Sequence, residues 1–172
     1  MSKELDHFRG RTNAKLQYAE LTLQELRAYE RRGSGDDFER AHHESFLFHL
    51  MGVEDALLQE LNVQYSCALP LRCVRRQKLA EKIQILGYKN SMLDELELLH
   101  KDDASWICEA KHYRNHGTHR QHIPRFFAVG VNDERMVRFK HPETGELMGT
   151  DVLDTFADWM KEMKQLVEKG RR

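Results

Sequence analysis

The stretch that decides the fold is FLFHLMGVEDALLQEL, residues 46–61, which lies inside a longer segment without proline. Its apolar residues recur every three or four positions, which is the period of an amphipathic helix. They are Phe46, Leu50, Val53, Leu57 and Leu61, flanked by Leu47, Met51 and Leu58. Because so broad an apolar face needs neighbours on two sides, the stretch predicts a central helix, expected from about Asp37 to Gln64.

The flanking segments predict further helices on both sides of the central one. Residues 3–31 place Leu16, Ala19, Leu23 and Leu26 at helical spacing, which indicates a long first helix. Pro70 suits the first position of a helix, so a third helix is expected from Pro70 to about Gly87. A short fourth helix is expected to be capped by Ser91.

The carboxyl-terminal third combines helices with one small sheet. Asp102 or Asp103 is expected to cap a fifth helix that ends or bends at Gly117. Alternation around Val137 and the turn-like residues 141–146 predict a β-hairpin insertion over about 134–149. A last helix should start at Thr150 or Asp151. The sequence thus predicts a single domain over residues 1–172, an all-α helical bundle of about five to six helices with a small β-hairpin before the last helix.

Composition narrows the class of protein. With 40% apolar and 32% charged residues, the 172-residue chain is typical of a globular protein with a substantial core. Its net charge of −1 excludes binding to nucleic acid through bulk charge, so any such site must be a local patch. The three cysteines have no metal-motif spacing, and neither a signal peptide nor a membrane-spanning segment is evident. We therefore expect a cytoplasmic protein with no membrane partner.

The densest concentration of chemically active side chains lies in residues 111–120, KHYRNHGTHR. Between Ala104 and Arg125 there are four basic residues and one acidic residue, a local balance of +3. Four histidines in the same interval can add charge as the pH falls. This segment therefore predicts the anion-binding site of the chain.

Helical spacing arranges the candidate groups. Asn115 and His119 are four residues apart and share a face if the helix continues. Arg114 follows Ile107 and Ala110 at helical steps, so it should border the buried side. A guanidinium can bind two phosphate oxygens, and an imidazole can transfer a proton near neutral pH. Because RNA supplies its own 2′-OH nucleophile, cleavage at such a site requires neither a metal nor another cofactor.

Arg114 and Asn115, followed after three residues by His119, resemble the arginine–histidine signature of the HEPN family. HEPN domains are helical bundles of about this size, and many are metal-independent endoribonucleases of toxin–antitoxin and phage-defence systems. The resemblance implies that Arg114 binds phosphate, that His119 is the catalytic imidazole, and that Asn115 orients one of these groups. It also implies a homodimer with a composite site, and an antitoxin or nucleotidyltransferase as a possible protein partner. The side chains expected to contact RNA around this motif are Lys111, His116, Arg120 and Arg125.

Two other functions remain open from the sequence. The first is a non-catalytic helical interaction module of a toxin–antitoxin or defence system. The second is a metal-binding bundle, since Cys108, His112, His116 and His119 recur at helical steps that can chelate a metal. Four Glu-x-x-His pairs, the spacing of di-iron bundles, also occur, at Glu4, Glu39, Glu97 and Glu109. A separate basic run, Arg72, Arg75, Arg76 and Lys78, either follows an RNA backbone or pairs with the acidic run Asp94, Glu95 and Glu97.

Overall fold

The computed structural model describes residues 2–30, 36–119, 122–129, 135–141 and 143–172. Within these ranges the chain forms six α-helices and one two-stranded antiparallel sheet before the last helix, which confirms the predicted fold class. The elements are α1 (Lys3–Glu30), α2 (Asp36–Gln64), α3 (Arg76–Ile85), α4 (Ser91–Leu99), α5 (Trp106–His119), β1 (Arg125–Val129), β2 (Arg135–Phe139) and α6 (Val152–Gly170). None of the helices in these ranges combines the length and apolar character required to cross a membrane.

Helix α2 is the centre of the bundle, as its broad apolar face predicts. It packs against α1 along its length and also contacts α3, α5 and α6. The side chains on its inner face are buried: Phe46, Leu47, Leu50, Val53, Leu57 and Leu61. Since burial of each such side chain contributes roughly 1.5–3 kcal/mol, this face supplies a large share of the folding free energy.

An aromatic cluster joins α2 to the sheet and to α6. Phe46 of α2 stacks on Phe156 of α6, with ring centroids 4.1 Å apart. Phe139 of β2 packs against Phe156 at 5.7 Å and against Tyr113 of α5 at 5.0 Å. Offset and edge contacts of this kind add about 0.5–1.5 kcal/mol per pair beyond burial, so the cluster fixes the position of the sheet on the bundle.

The segment after α2 differs from the expected helix at Pro70. Only a single 3₁₀ turn forms, at Leu71–Cys73, and α3 begins at Arg76. Two side chains of α2 hold the intervening backbone. Asn62 both accepts from the Leu69 amide at 3.0 Å and donates to its carbonyl at 2.9 Å, and Gln59 donates to the Leu71 carbonyl at 2.9 Å. These bonds occupy backbone groups that a helix would need for itself.

The helix caps are partly those predicted. Asp151 caps α6, because its carboxylate accepts from the Leu153 amide at 2.8 Å. The cap of α4 is Asn90, one residue before the predicted Ser91. At the start of α5 the hydroxyl of Ser105 accepts from the Cys108 amide at 3.3 Å, whereas Asp102 accepts from the Ala104 amide in the preceding turn.

The sheet lies earlier in the chain than predicted. Strand β2 falls in the expected range, but its partner is β1, with Arg125 opposite Phe139 and Val129 opposite Arg135. Near the predicted turn, the Gly145 amide donates to the His141 carbonyl at 2.9 Å, and Lys140 pairs with Leu147 in a single bridge. The aromatic residues of β1 explain the pairing, because Phe126 and Phe127 give it strong strand propensity.

Gly117 does not end α5, because the helix continues to His119. A β-carbon at this position would lie 3.2 Å from Cγ1 of Ile123 and 3.3 Å from Cγ of Glu44. The glycine therefore permits close packing of α5 on α2, at the helix-propensity cost of about 1 kcal/mol that glycine carries relative to alanine.

We predict that Asn90→Ala lowers the free energy of unfolding by about 2–3 kcal/mol. The side chain caps α4 by accepting from the amides of Met92 and Leu93. It also donates to the Tyr65 hydroxyl at 3.1 Å and to the Gly170 carbonyl at 3.2 Å. Urea denaturation followed by circular dichroism measures the loss. Tyr65→Phe is the control, since it removes only one of these bonds, and an equal effect of the two substitutions would contradict the role of Asn90.

Candidate functional site

Helix α5 places Arg114 at the border of the core. Ile107, Ala110 and Tyr113 are buried against the bundle, and burial raises the pKa of the Tyr113 phenol. Arg114 follows these residues on the adjacent edge of the helix and is half-buried. Its Nη1 donates to Oδ1 of Asn115 at 2.9 Å, so the neighbouring amide orients the guanidinium. The structure therefore brings the side chains of Arg114 and Asn115 into contact.

Arg114 lines two cavities that adjoin each other on the surface. One, of about 350 Å³, lies between α2, α3 and α5 and is also lined by Arg75, Arg76 and Lys111. The other, of about 360 Å³, lies between α1, α2 and α5 and is also lined by Arg11 and Lys15. Asp55 of α2 and Arg114 belong to both. We call the two cavities together the α2 groove.

The floor of the α2 groove on its α1 side is the face of α2 that the core leaves uncovered. Its residues, Phe48, Gly52, Asp55 and Gln59, follow one another at steps of four, three and four. Gly52 allows the side chain of Lys15 to cross this face, since a β-carbon there would lie 3.3 Å from Cδ and Cε of Lys15. The Lys15 Nζ lies 4.7 Å from the centroid of the Phe48 ring, a cation–π distance.

The groove concentrates positive charge. Six cationic side chains and two carboxylates, those of Glu54 and Asp55, line it, a balance of +4 with histidine neutral. The whole chain has a net charge of −1, so the rest of the surface is acidic by comparison. A groove of one dominant sign raises the local concentration of counter-ions, which favours an anionic ligand here.

Ion pairs differentiate the cations of the groove. Arg76 is engaged by Glu97 at 3.0 Å and lies 3.9 Å from Glu54. The same Glu54 carboxylate lies 3.0 Å from Nε2 of His100. Within the described part of the chain, Arg11, Lys15, Arg75 and Lys111 have no carboxylate within ion-pair distance. These four are the side chains with the greatest capacity for an external anion.

The structure separates the other predicted RNA contacts. Lys111 lines the groove with Arg114, as expected. His116 lines neither cavity, and its Nε2 is buried without a hydrogen bond to the described residues. Arg125 does not lie at the surface beside Lys111. Its side chain is 1% exposed and lies 3.3 Å from Glu39, which leaves its guanidinium no surface for a phosphate.

Two predicted site residues fall at the limit of the described chain. His119 is the last residue of α5. Its backbone therefore lies four residues beyond Asn115 on one continuous helix, which is the condition for the two to share a face. The side chain of His119 and all of Arg120 lie outside the described residues.

The described residues do not form the metal centre that the sequence left open as an alternative. Among them, no group of three or more His, Cys, Asp or Glu side chains is arranged to hold a metal ion. Cys108 is buried and its Sγ donates to the Leu99 carbonyl at 3.5 Å. Of the Glu-x-x-His pairs, that of Glu97 and His100 is divided between separate ion pairs. Burial raises the pKa of the Glu109 carboxyl, an effect partly offset by His141.

Sequence reasoning missed the contribution of α1. Arg11 and Lys15 lie four residues apart on the polar side of α1, whose apolar residues predict its packing. Nothing in that spacing distinguishes them from other solvated charges. For the basic run that includes Arg75 and Arg76, the sequence predicts either contact with an RNA backbone or pairing with the acidic run. Arg76 forms such a pair, with Glu97, whereas Arg75 lines the groove.

Comparison with known proteins adds no identification: no family model, curated protein or solved structure matches this chain.

We predict that Lys15→Met raises the pKa of His49, the residue next to Phe48. Burial lowers the pKa of this imidazole below its usual 6.5, and the charge of Lys15 lowers it further. Removing the ammonium leaves the burial effect, so the pKa should rise but stay below 6.5. NMR titration of the imidazole resonances measures the change, and Lys161→Met on α6 is the control.

An unchanged His49 pKa in Lys15→Met would contradict the position of Lys15.

The lowered pKa of His49 also makes the stability of the folded protein depend on pH. The unfolded state binds a proton more readily than the folded state, so the contribution of His49 to stability is present above about pH 6.5 and is lost as the pH falls through the folded pKa.

Proposed function

We propose that this protein binds RNA along the α2 groove. The observation that supports this most directly is that six cationic side chains line one open groove of a chain whose net charge is −1. These side chains come from α1, α3, the residue before α3, and α5. The two cavities adjoin at Arg114 and extend across four helices, α1, α2, α3 and α5, so the groove suits a polymeric anion better than a single small one. Contacts between Lys or Arg and phosphates supply most of the affinity in such interfaces.

Individual groups of the groove have distinct roles in this proposal. Arg114, oriented by Asn115 at 2.9 Å, offers the outer end of its guanidinium to a phosphate oxygen. Lys15 and Lys111 neutralise the neighbouring phosphates on either side of it. Asp55, which is exposed between the two cavities, accepts a hydrogen bond from a ribose 2′-OH. That last contact favours RNA over DNA, because only RNA has the 2′-OH donor.

The resemblance to the HEPN family adds a chemical step to this proposal. The 2′-oxygen attacks the adjacent phosphorus, the bond from phosphorus to the 5′-oxygen breaks, and a 2′,3′-cyclic phosphate forms. His119 accepts the proton of the 2′-OH, and water returns a proton to the departing 5′-oxygen. Arg114 stabilises the charge that develops on the phosphate oxygens. In a homodimer, the motifs of two chains would complete one site.

A second candidate is a non-catalytic interaction module, such as one that binds an antitoxin or a nucleotidyltransferase. The observation that favours it is the run of exposed apolar residues at the end of α3, where Ile85 is 77%, Leu86 41% and Tyr88 54% exposed. Exposed apolar surface of this kind can mark a protein interface.

We predict that Arg114→Ala and Lys111→Ala each weaken RNA binding. Loss of one phosphate contact should reduce the slope of log affinity against log salt by about 0.7 for a single strand. Fluorescence anisotropy with a labelled RNA of about a dozen nucleotides, between about 50 and 200 mM salt, measures both quantities. Lys161→Ala is the matched control, since this exposed lysine lies on α6 and lines a different cavity. Failure of the wild type to bind at the lowest salt would refute the proposal.

We predict metal-independent cleavage that depends on His119. In excess chelator, His119→Ala should reduce the cleavage rate by about 10²–10⁴-fold, the usual contribution of a general base. Gel analysis of RNA carrying a 5′ label detects the product, and phosphatase treatment after acid opening identifies the cyclic end. Unchanged melting in His119→Ala excludes misfolding. Cleavage that chelator abolishes would instead indicate the metal-binding function, and binding without cleavage would indicate the interaction module.

A further inference from the structure

The α1 end of the α2 groove continues into a cluster of exposed aromatic rings. Tyr18 of α1 is 48% exposed and Phe48 of α2 is 49% exposed. The ring of His49 lies between them, with centroids 5.2 Å from Tyr18 and 5.4 Å from Phe48. We call Tyr18, Phe48 and His49 the aromatic platform. The core does not account for it, because α1 and α2 pack through other residues, among them the buried Ala19, Leu23, Leu47 and Leu50.

The aromatic platform and the cations of the groove are in direct contact. Phe48 lines the α1-side cavity together with Arg11, Lys15 and Arg114. The Lys15 ammonium, 4.7 Å from the Phe48 centroid, joins the ring to the line of positive charge. His49 adds a third aromatic ring, and burial and the charge of Lys15 both lower the pKa of its imidazole. One ring of the aromatic platform therefore lies directly beside a cation of the groove.

We infer that the aromatic platform is a stacking subsite for unpaired nucleobases, and that the protein therefore selects single-stranded over duplex RNA. This inference rests on the proposed function, because the bases belong to the strand whose phosphates occupy the α2 groove. Phe48 stacks on one base, and Tyr18 stacks on a neighbouring base. A duplex keeps its bases stacked inside the helix, so it can use the cations but not the rings.

Charge argues against the other occupants of an exposed aromatic surface. An apolar peptide helix would leave Arg11 and Lys15 without an anionic partner. A second copy of the chain, related by two-fold symmetry, would bring the same lysines and arginines of both copies towards each other. A single nucleic-acid strand offers flat aromatic rings and one negative charge per nucleotide, which is the pairing of groups that this surface presents.

The test compares three probes of equal length: a single-stranded RNA, the same strand with abasic residues in place of the nucleotides, and the corresponding duplex. Fluorescence anisotropy at one fixed salt concentration gives the dissociation constants. Wild type should bind the single strand most tightly. Phe48→Ala should weaken single-strand binding by roughly five-fold to a hundred-fold, the range expected for loss of one stacked base, and leave binding of the abasic strand unchanged.

Matched variants separate stacking from apolar contact and from misfolding. Phe48→Leu keeps apolar volume without a π-face and should behave like Phe48→Ala, whereas Phe48→Trp should retain the affinity. Phe126→Ala removes a ring of β1 with similar exposure, 43%, that does not line the groove, and should have no effect. Thermal melting of each variant shows whether its fold is intact.

Three outcomes would overturn the inference. Equal binding of the abasic and base-containing strands, or an equal loss on both probes in Phe48→Ala, would show that the rings do not stack on bases while the groove still binds phosphates. Dissociation of a dimer by Phe48→Ala in analytical ultracentrifugation, with RNA binding unchanged, would assign the platform to contact between copies. Absence of binding to any of the three probes would refute the proposed function together with the subsite.

Discussion

The two-sided burial of α2 is the constraint on which the rest of the structure depends. Its inner residues, from Phe46 to Leu61, are buried, so neighbouring helices must pack on both of its sides. Only a narrow face of α2 then stays uncovered, at Phe48, Gly52, Asp55 and Gln59. The helices that complete the core therefore also form the walls of the α2 groove, with α1 on one side and α5 on the other.

The position of α1 against α2 is fixed by a buried carboxylate as well as by apolar packing. Glu60 of α2 has no exposed side-chain surface, and Arg9 of α1 lies 3.3 Å from it. Arg171, just after α6, donates to both oxygens of the same carboxylate, at 2.8 and 2.9 Å, and to Asn13 of α1 at 3.0 Å. Because a buried carboxylate is costly without its partners, this network holds α1 in one register. That register determines where Arg11 and Lys15 meet α2.

The proposed function uses local charge rather than overall charge. A chain with a net charge of −1 gains no general attraction for nucleic acid, so the proposed binding depends on a local surface, the α2 groove, whose balance is +4. The carboxylates of Glu54 and Asp55 reduce the positive potential of the groove, so its charge is mixed. The affinity of such a mixed surface depends more on the shape and hydrogen-bonding groups of the ligand than the affinity of a uniformly basic surface does. In the same proposal, the cations of the groove bind the phosphates of the strand and the aromatic platform binds its bases.

The sequence by itself determined the helices, the central place of α2 and the basic character of α5, because apolar periodicity and local charge are properties of neighbouring residues. It also placed Arg114 correctly at the border of the core, from its spacing to Ile107 and Ala110. Only the tertiary structure decided that Arg11 and Lys15 join the groove, that Arg125 is buried against Glu39, and that β2 pairs with β1. It also decided that Gly117 is a packing position within α5, where Glu44 and Ile123 approach closely. Each of these depends on residues distant in the chain, and local pattern holds no information about which distant partner a side chain will meet.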